Sequence, residues 1–336
     1  MFAVFNFSPY WWNKNYGIEF TREFYQNQVL RVKTIARMEK ILGERFPGLK
    51  EIWEKISFFN NPYIEPYGHR FGPALFGCNI RYKYDQTPWS ENNILSENDI
   101  MEMPLMTMDE FRENKVVKFA FEQAESLKKV IGKCSYAQLS LNSIANTVIY
   151  LRGMNLFTDF YDNPEMVRKL YSIITNAIIL ACDYYHELDG TIHGKILGNC
   201  SVSMLSPAIY REFNYPYDRV LMEKARTDRA TFNIHQDSNV TPFIEVYKSF
   251  DYLQSFDVGG DTDIGKFRDA FPDVTLNIWV YNSFLYKSSI DEIYAEIKRL
   301  KKEGGPEDKL GFSFSDLDDF TSDEKINALY DAIFNC

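Results

Sequence analysis

The chain carries five cysteines, Cys78, Cys134, Cys182, Cys200 and Cys336, and no two of them stand as Cys-x-x-Cys. An odd, scattered set argues against both a disulfide framework and a cysteine-rich zinc knuckle, and fits a reducing cytoplasm. Basic residues are in deficit: 37 Lys and Arg face 47 Asp and Glu, giving a net charge of −10. That balance argues against a nucleic-acid backbone or an anionic membrane as main partner, because both demand clustered Lys and Arg. The basic residues Lys298, Arg299, Lys301 and Lys302 sit at one helix end, where they complement its dipole. No apolar run reaches membrane-spanning length, and Met1 to Trp12 is aromatic without the basic and long apolar regions of a signal peptide. A cytosolic, unanchored protein is expected. Linkers, low-complexity tracts and short repeats are missing too, and no Gly-x-Gly-x-x-Gly follows a strand, which weakens a Rossmann reading.

What is abundant is aromatic. Phe (27), Tyr (22) and Trp (5) make up 16% of the 336 residues, enough to line a pocket as well as fill a core. Hydrophobic residues at 45% and charged residues at 25% are ordinary for a folded globular chain of one large core or two smaller ones.

The second half has a βα rhythm. Strand-like segments at Lys195 to Asn199, Thr231 to His235, Tyr252 to Phe256, Thr275 to Val280 and Lys309 to Ser315 alternate with helical patterns over 164–188, 207–226, 242–249, 264–270, 290–303 and 322–334. Asn163-Pro164, Ser206-Pro207 and Thr241-Pro242 each put a capping residue before a proline at the first helical position. Ser289 with Glu292 and Thr321 with Glu324 read as capping boxes, and Gly304-Gly305 ends the helix begun near Ser289. Upstream, Tyr136 to Leu141 reads as a strand and Phe76 to Tyr84 as a weaker one, with amphipathic helices over 20–46 and 108–132. Seven or eight strands suffice for a closed barrel.

The most informative stretch runs from Thr231 to Asp237. Side chains alternate along a strand, so His235 and Asp237, two apart, share a face and can converge on one metal ion or one substrate. A helix follows at once, which puts the pair at the carboxyl end of a strand, where barrel and open α/β enzymes keep their chemistry. Asp237 could equally cap the coming turn. Asn199 and Cys200 end the preceding strand and could face the cleft as substrate contacts or a third ligand, although a lone cysteine also serves as a small buried hydrophobe. Trp279 and Tyr281 share a strand face, for ring stacking or core closure, with Asn282 beside them as a further substrate contact. Asp257, close to a strand end, is a further ligand candidate, while Asp261 and Asp263 read as solvated loop charge. His69, His186 and His193 receive no role.

Several segments in order resemble the uroporphyrinogen decarboxylase superfamily: Ile149 to Gly153 with Asp159 to Glu165, Leu205-Ser206-Pro207 with Tyr210 to Phe213 and Pro216-Tyr217, the His235 strand with Asn239 to Pro242, Asp263 to Phe271, and Ser289 to Leu300. The resemblance implies a (β/α)8 TIM barrel over 61–336 with an N-terminal helical extension, 1–60; whether that extension covers the barrel bottom, shapes a lid or pairs two subunits into a homodimer is left open by the sequence. One branch decarboxylates porphyrinogen acetates with an Arg-Gln-Ala-Gly-Arg type motif, for which this chain has Phe71 to Cys78 and no counterpart. The other branch moves methyl groups between small methylated compounds, corrinoid proteins and thiol or pterin acceptors, and many of its members bind zinc through His-x-Cys and a later Cys. Here His235 matches the first ligand, Asp237 stands in place of the Cys and Ser238 in place of a Gly, and 311–316 offers only hydroxyls and a carboxylate.

The expectation is therefore a methyltransferase with zinc on His235 and Asp237, with Asp257 as a further ligand, demethylating a small aromatic methyl ether. The methyl acceptor would be a cobamide on a separate corrinoid protein, since no Asp-x-His-x-x-Gly motif occurs here. Two alternatives stand beside it: a metal-free decarboxylase using His235 and Arg152 on a carboxylate, and a ligand-binding barrel without catalysis.

Overall fold

The computed structural model describes residues 1–91, 94–136, 144–190 and 195–336. Six parallel strands form one sheet: β1 (Phe2–Phe7), β2 (Lys195–Gly198), β3 (Phe232–Gln236), β4 (Ser255–Gly259), β5 (Thr275–Trp279) and β6 (Leu310–Leu317), in the spatial order β1-β6-β5-β4-β3-β2. First strand beside last, with the others in descending sequence, is the order of a barrel. In the stretch of chain between β1 and β2, where a closed (β/α)8 barrel has its second and third strands, Tyr63 and Ser135 make an isolated parallel bridge. The strand expected over Tyr136 to Leu141 lies, beyond Tyr136, outside the described residues, as does His193.

The helical extension expected over residues 1–60 begins with a strand, β1, that joins the sheet. Ala3, Phe5 and Phe7 are buried while Phe2 and Asn6 are exposed, a period-two pattern that seats the segment against β6. Phe5 stacks on Phe314 at 4.9 Å, and the Phe2 ring lies so close over Gly311 that a Cβ there would clash at 2.1 Å. Helices do follow, among them α1 (Gln28–Arg45), which with Arg22–Gln26 divides the expected helix over 20–46. Asn27 makes the break and caps α1 by accepting from the Leu30 amide. Asn114 does the same between Met108–Glu113 and α2 (Lys115–Ile131). Phe71–Leu75 is helical, and of the weak strand over 76–84 only Ile80–Arg81 survives, in a small hairpin with Trp89–Ser90.

The outer helices of the second half follow their start signals: α3 (Pro164–Asp189), α4 (Tyr215–Asp228), α5 (Ile264–Ala270), α6 (Ile290–Gly304) and α7 (Asp323–Phe334). Ser289 and Glu292 form the expected reciprocal box at α6. At α7 the cap is Ser322, not Thr321, whose hydroxyl is buried without a partner. Residues 207–228 run as one helical stretch with a π turn at Tyr210–Asn214, a local widening that recurs at functional sites.

The main core fills the sheet and its helices with Phe232, Ile234, Phe256, Leu276, Ile278, Phe312 and Phe314, while a second cluster packs α2 and α3 around Val117, Leu127 and Tyr185. No described helix is long and apolar enough to cross a membrane.

Candidate active site at the barrel mouth

Cross-strand register builds the centre of the site. His235 on β3 lies beside Asp257 on β4, and Asp257 beside Asn277 on β5. Each neighbour bonds the next: His235 Nδ1 meets Asp257 Oδ2 at 2.8 Å, Asn277 Nδ2 donates to Asp257 Oδ1 at 3.1 Å and to Ser313 Oγ at 2.9 Å. A side chain held this way on four adjacent strands has little freedom to rotate. Asp257, expected as a further metal ligand, is bonded to the ring nitrogen of His235. It sits on the Nδ1 edge of the imidazole and orients the ring, leaving Nε2 to face the cleft.

Toward Nε2 come Asp237 Oδ2, at 3.9 Å, and Cys200. The ligand atoms of Cys200, His235 and Asp237 all lie within 4.8 Å of one another. Zinc bonds of about 2.0–2.3 Å put tetrahedral ligands roughly 3.5 Å apart, so the three would close by about an ångström around an ion. One sulfur, one imidazole nitrogen and one carboxylate oxygen are a donor set zinc accepts, with a fourth position left for solvent or substrate. The residues present therefore fit a catalytic metal. Burial alone would push the His235 pKa down, but Asp257 and Cys200 outweigh it and hold the ring's pKa up, to about 10. A metal must displace that proton. Asp257→Asn is expected to bring the imidazole pKa down from that value, read by NMR titration of the chelator-treated protein.

Cys200 reaches this place because its neighbour is anchored twice. The Asn199 amide donates to the His235 carbonyl at 2.7 Å, and Asn199 Nδ2 donates to Asp218 Oδ2 at 3.0 Å. Asn199, expected as a substrate contact, is fully buried with its side-chain amide on Asp218. Asp218 Oδ2 also accepts from Tyr210 Oη at 2.8 Å and Asn214 Nδ2 at 2.7 Å. Burial raises the Asp218 pKa to about 7 against the pull of these bonds. Next to it, the Tyr247 hydroxyl donates to Gln236 Oε1 at 2.5 Å, tying the residue between His235 and Asp237 to the same buried layer.

The Trp279 ring stands edge-on to His235 at 4.7 Å, and its indole N–H is buried without a partner, leaving a donor beside the site. Tyr281 donates to Asp261 at 2.7 Å and lies directly over Gly259, where a Cβ would meet its hydroxyl at 1.9 Å. Asn282 Nδ2 donates to the Ser315 and Asp316 carbonyls and lines a cleft of about 610 Å³ between the ends of β1 and β6. Sequence reasoning missed His69 and Asp316, which interact electrostatically at this mouth. His69 ends a short strand, Pro66–His69, the same strand-end signal that marked His235. Arg152, expected on a substrate carboxylate in the decarboxylase alternative, pairs with Asp159 at 2.5 Å and donates to the Leu95 carbonyl at 2.8 Å.

The sequence profile described as "Uroporphyrinogen decarboxylase (URO-D)" matches residues 66–332, most of the chain. The chain belongs to the uroporphyrinogen decarboxylase family. Among solved structures it is similar to a methyltransferase from Methanosarcina mazei, with a TM-score of 0.65 at 16% identity over 98% of this chain and 93% of that one. At that identity the likeness speaks for the fold. No curated protein matches the sequence. Asp237, Asp257, Asp261, Asp316 and Asp318 all come from the second half of their strands or the loops after them.

Proposed function

We propose that this URO-D family protein is a methyltransferase that moves a methyl group from a small methylated donor to the cobamide of a separate corrinoid protein. The observation that carries the reading is the convergence of Cys200, His235 and Asp237 at the barrel mouth, with Asp257 fixing the imidazole from behind. Bound there, zinc would supply Lewis acidity to the heteroatom that loses methyl. The chain's own groups supply the rest. Trp279 and Tyr281 offer ring surfaces beside the ligand set, the free indole N–H offers a hydrogen bond, and the Asp257–Asn277–Ser313 chain keeps His235 from swinging away. An aromatic methyl ether is the donor that ring surfaces and a neutral donor group first suggest. Localisation in the cytoplasm goes with this reading, since corrinoid chemistry and a free Cys200 both want reducing surroundings.

A porphyrinogen decarboxylase is disfavoured by charge, because a polyanion would meet Asp237, Asp316 and Asp318, which act on one another at the mouth. The test is a spectroscopic one. Zinc-supplemented protein is incubated with reduced cobalamin and a panel of methyl ethers, thioethers and methylated amines, and formation of methylcobalamin is followed. Methyl transfer that disappears in His235→Ala is the expected outcome. A complete absence of transfer across the panel, or carbon dioxide release from a carboxylated substrate, would displace the proposal.

A further inference from the structure

The cleft between the ends of β1 and β6 has a lining that neither the fold nor the donor residues explain. It is framed by Ser8, Tyr10, Asp85, Trp89, Tyr286, Asp316 and Phe320, together with Asn282. Phe320 is 70% exposed and Tyr10 43%, although each ring would lose water more cheaply inside the core. Tyr286 and Phe320 stand 5.4 Å apart, and Tyr286 is held in place by donating to Asp318 at 2.7 Å. Rings from separate chain segments thus border one opening.

Carboxylates line the same opening: Asp85, Asp316 and Asp318. Asp316 takes a left-handed backbone conformation, φ 56°, at the end of β6. Its carboxyl pKa is raised by loss of water and then by Asp237 and Asp318, with His69 opposing. Asn282 Oδ1 is buried with no hydrogen-bond partner, an acceptor left for something else. Lysines already exploit the field from outside: Lys83 lies over the Trp89 ring at 5.1 Å, and Lys14 over Tyr10 at 5.7 Å while paired to Asp319. Aromatic faces and carboxylates, with room of about 610 Å³, suit one kind of small ligand.

We infer that the cleft between Tyr10, Trp89, Phe320 and Asp316 binds a small methylated ammonium, so that the methyl donor is an organic cation rather than a neutral aryl ether. The inference rests on the methyl-transfer reading for its consequence but not for its binding. The rings solvate the methyl groups through their negative faces, while Asp316 and Asp85 balance the charge without contacting it as tightly as they would a primary amine.

Calorimetric titration of the full-length protein tests this with choline, its neutral isostere 3,3-dimethylbutan-1-ol, and guaiacol as the aryl ether. Choline is expected to bind at least about tenfold more tightly than the isostere, and Asp85→Asn with Asp316→Asn to weaken choline about fivefold while leaving the isostere unchanged. Asparagine tolerates the left-handed conformation, so the variant should fold, and thermal melting checks it. Equal affinities for choline and the isostere, or tighter binding of guaiacol, would overturn the inference and leave methyl transfer standing. Choline binding without any methyl transfer to cobalamin would remove only the methyl-transfer reading.

Discussion

Protein purified without chelator is expected to hold about one zinc per chain, and His235→Ala combined with Cys200→Ala to hold none, measured by plasma emission. The size of the effect follows from the geometry. His235 offers the nitrogen that Asp257 aims and Cys200 the only sulfur in the cluster, so their loss leaves one carboxylate, Asp237, that by itself binds a divalent ion weakly. Asp257→Asn should be intermediate. It keeps every ligand but loses the charged partner on Nδ1, and outer partners of this type are typically worth about 10- to 100-fold in metal affinity. Zinc at about 100 times its Kd should raise the stability of the wild type by ~2.7 kcal/mol, seen as a rise in Tm that the double variant lacks. A wild type that stays metal-free after zinc is added back would remove the metal-assisted mechanism and bring the cofactor-free decarboxylase or a non-catalytic binding barrel forward.

The second large effect is expected at Asp218, in the buried layer that holds Asn199 next to Cys200. Its carboxyl is fully buried and has its pKa raised to about 7 by that burial, with Asn199, Tyr210 and Asn214 all donating to one oxygen. The other oxygen, and the side-chain oxygens of Asn199 and Asn214, have no partner. A proton on Asp218 would supply a donor in that set. The sign for stability follows: between the unfolded carboxyl's ordinary pKa, about 4, and the folded value, the native state holds the extra proton. Stability therefore falls as pH rises through that window and is flat above it, by on the order of 4 kcal/mol if no other group compensates. Asp218→Asn, a neutral mimic, should melt near the wild type at pH 5 and above it at pH 8. Asp218→Ala should be destabilised by ~3 kcal/mol or more at every pH, since three buried donors lose their acceptor. Parallel melting curves for wild type and Asp218→Asn across pH would refute the account.

The two sites are coupled through Asn199. Its main chain holds the His235 carbonyl and its side chain holds Asp218, and Cys200 is the next residue. The polar layer under the mouth thus places a ligand from β2 beside one from β3, and the π turn at Tyr210–Asn214 carries two of its donors.

Much of the α/β rhythm was legible because its signals are local. Proline and capping residues marked the starts of α3 and α6, and Ile264–Ala270 fell where the pattern put it. Local signals failed where a neighbour decides. Phe2–Phe7 read as a helical start because its period-two alternation spans only a few residues, and it became a strand by pairing with β6 and stacking on Phe314. The strand expected at Tyr252 to Phe256 lies three residues later, at Ser255–Gly259, which moves Asp257 from a loop into the ladder beside His235. His69 went unassigned because nothing near it in sequence reveals that β6 brings Asp316 opposite.

Strand alternation in Phe232-Asn233-Ile234-His235-Gln236-Asp237 by itself determined that His235 and Asp237 share a face at a strand end, since that depends only on the two-residue repeat of an extended backbone. Which of the surrounding carboxylates orients the imidazole, which sulfur joins it, and which asparagine turns inward were decided only by the tertiary structure. Those choices depend on the register between β2, β3, β4 and β5 and on the burial of Asp218 beneath them, quantities set by packing among residues far apart in the chain.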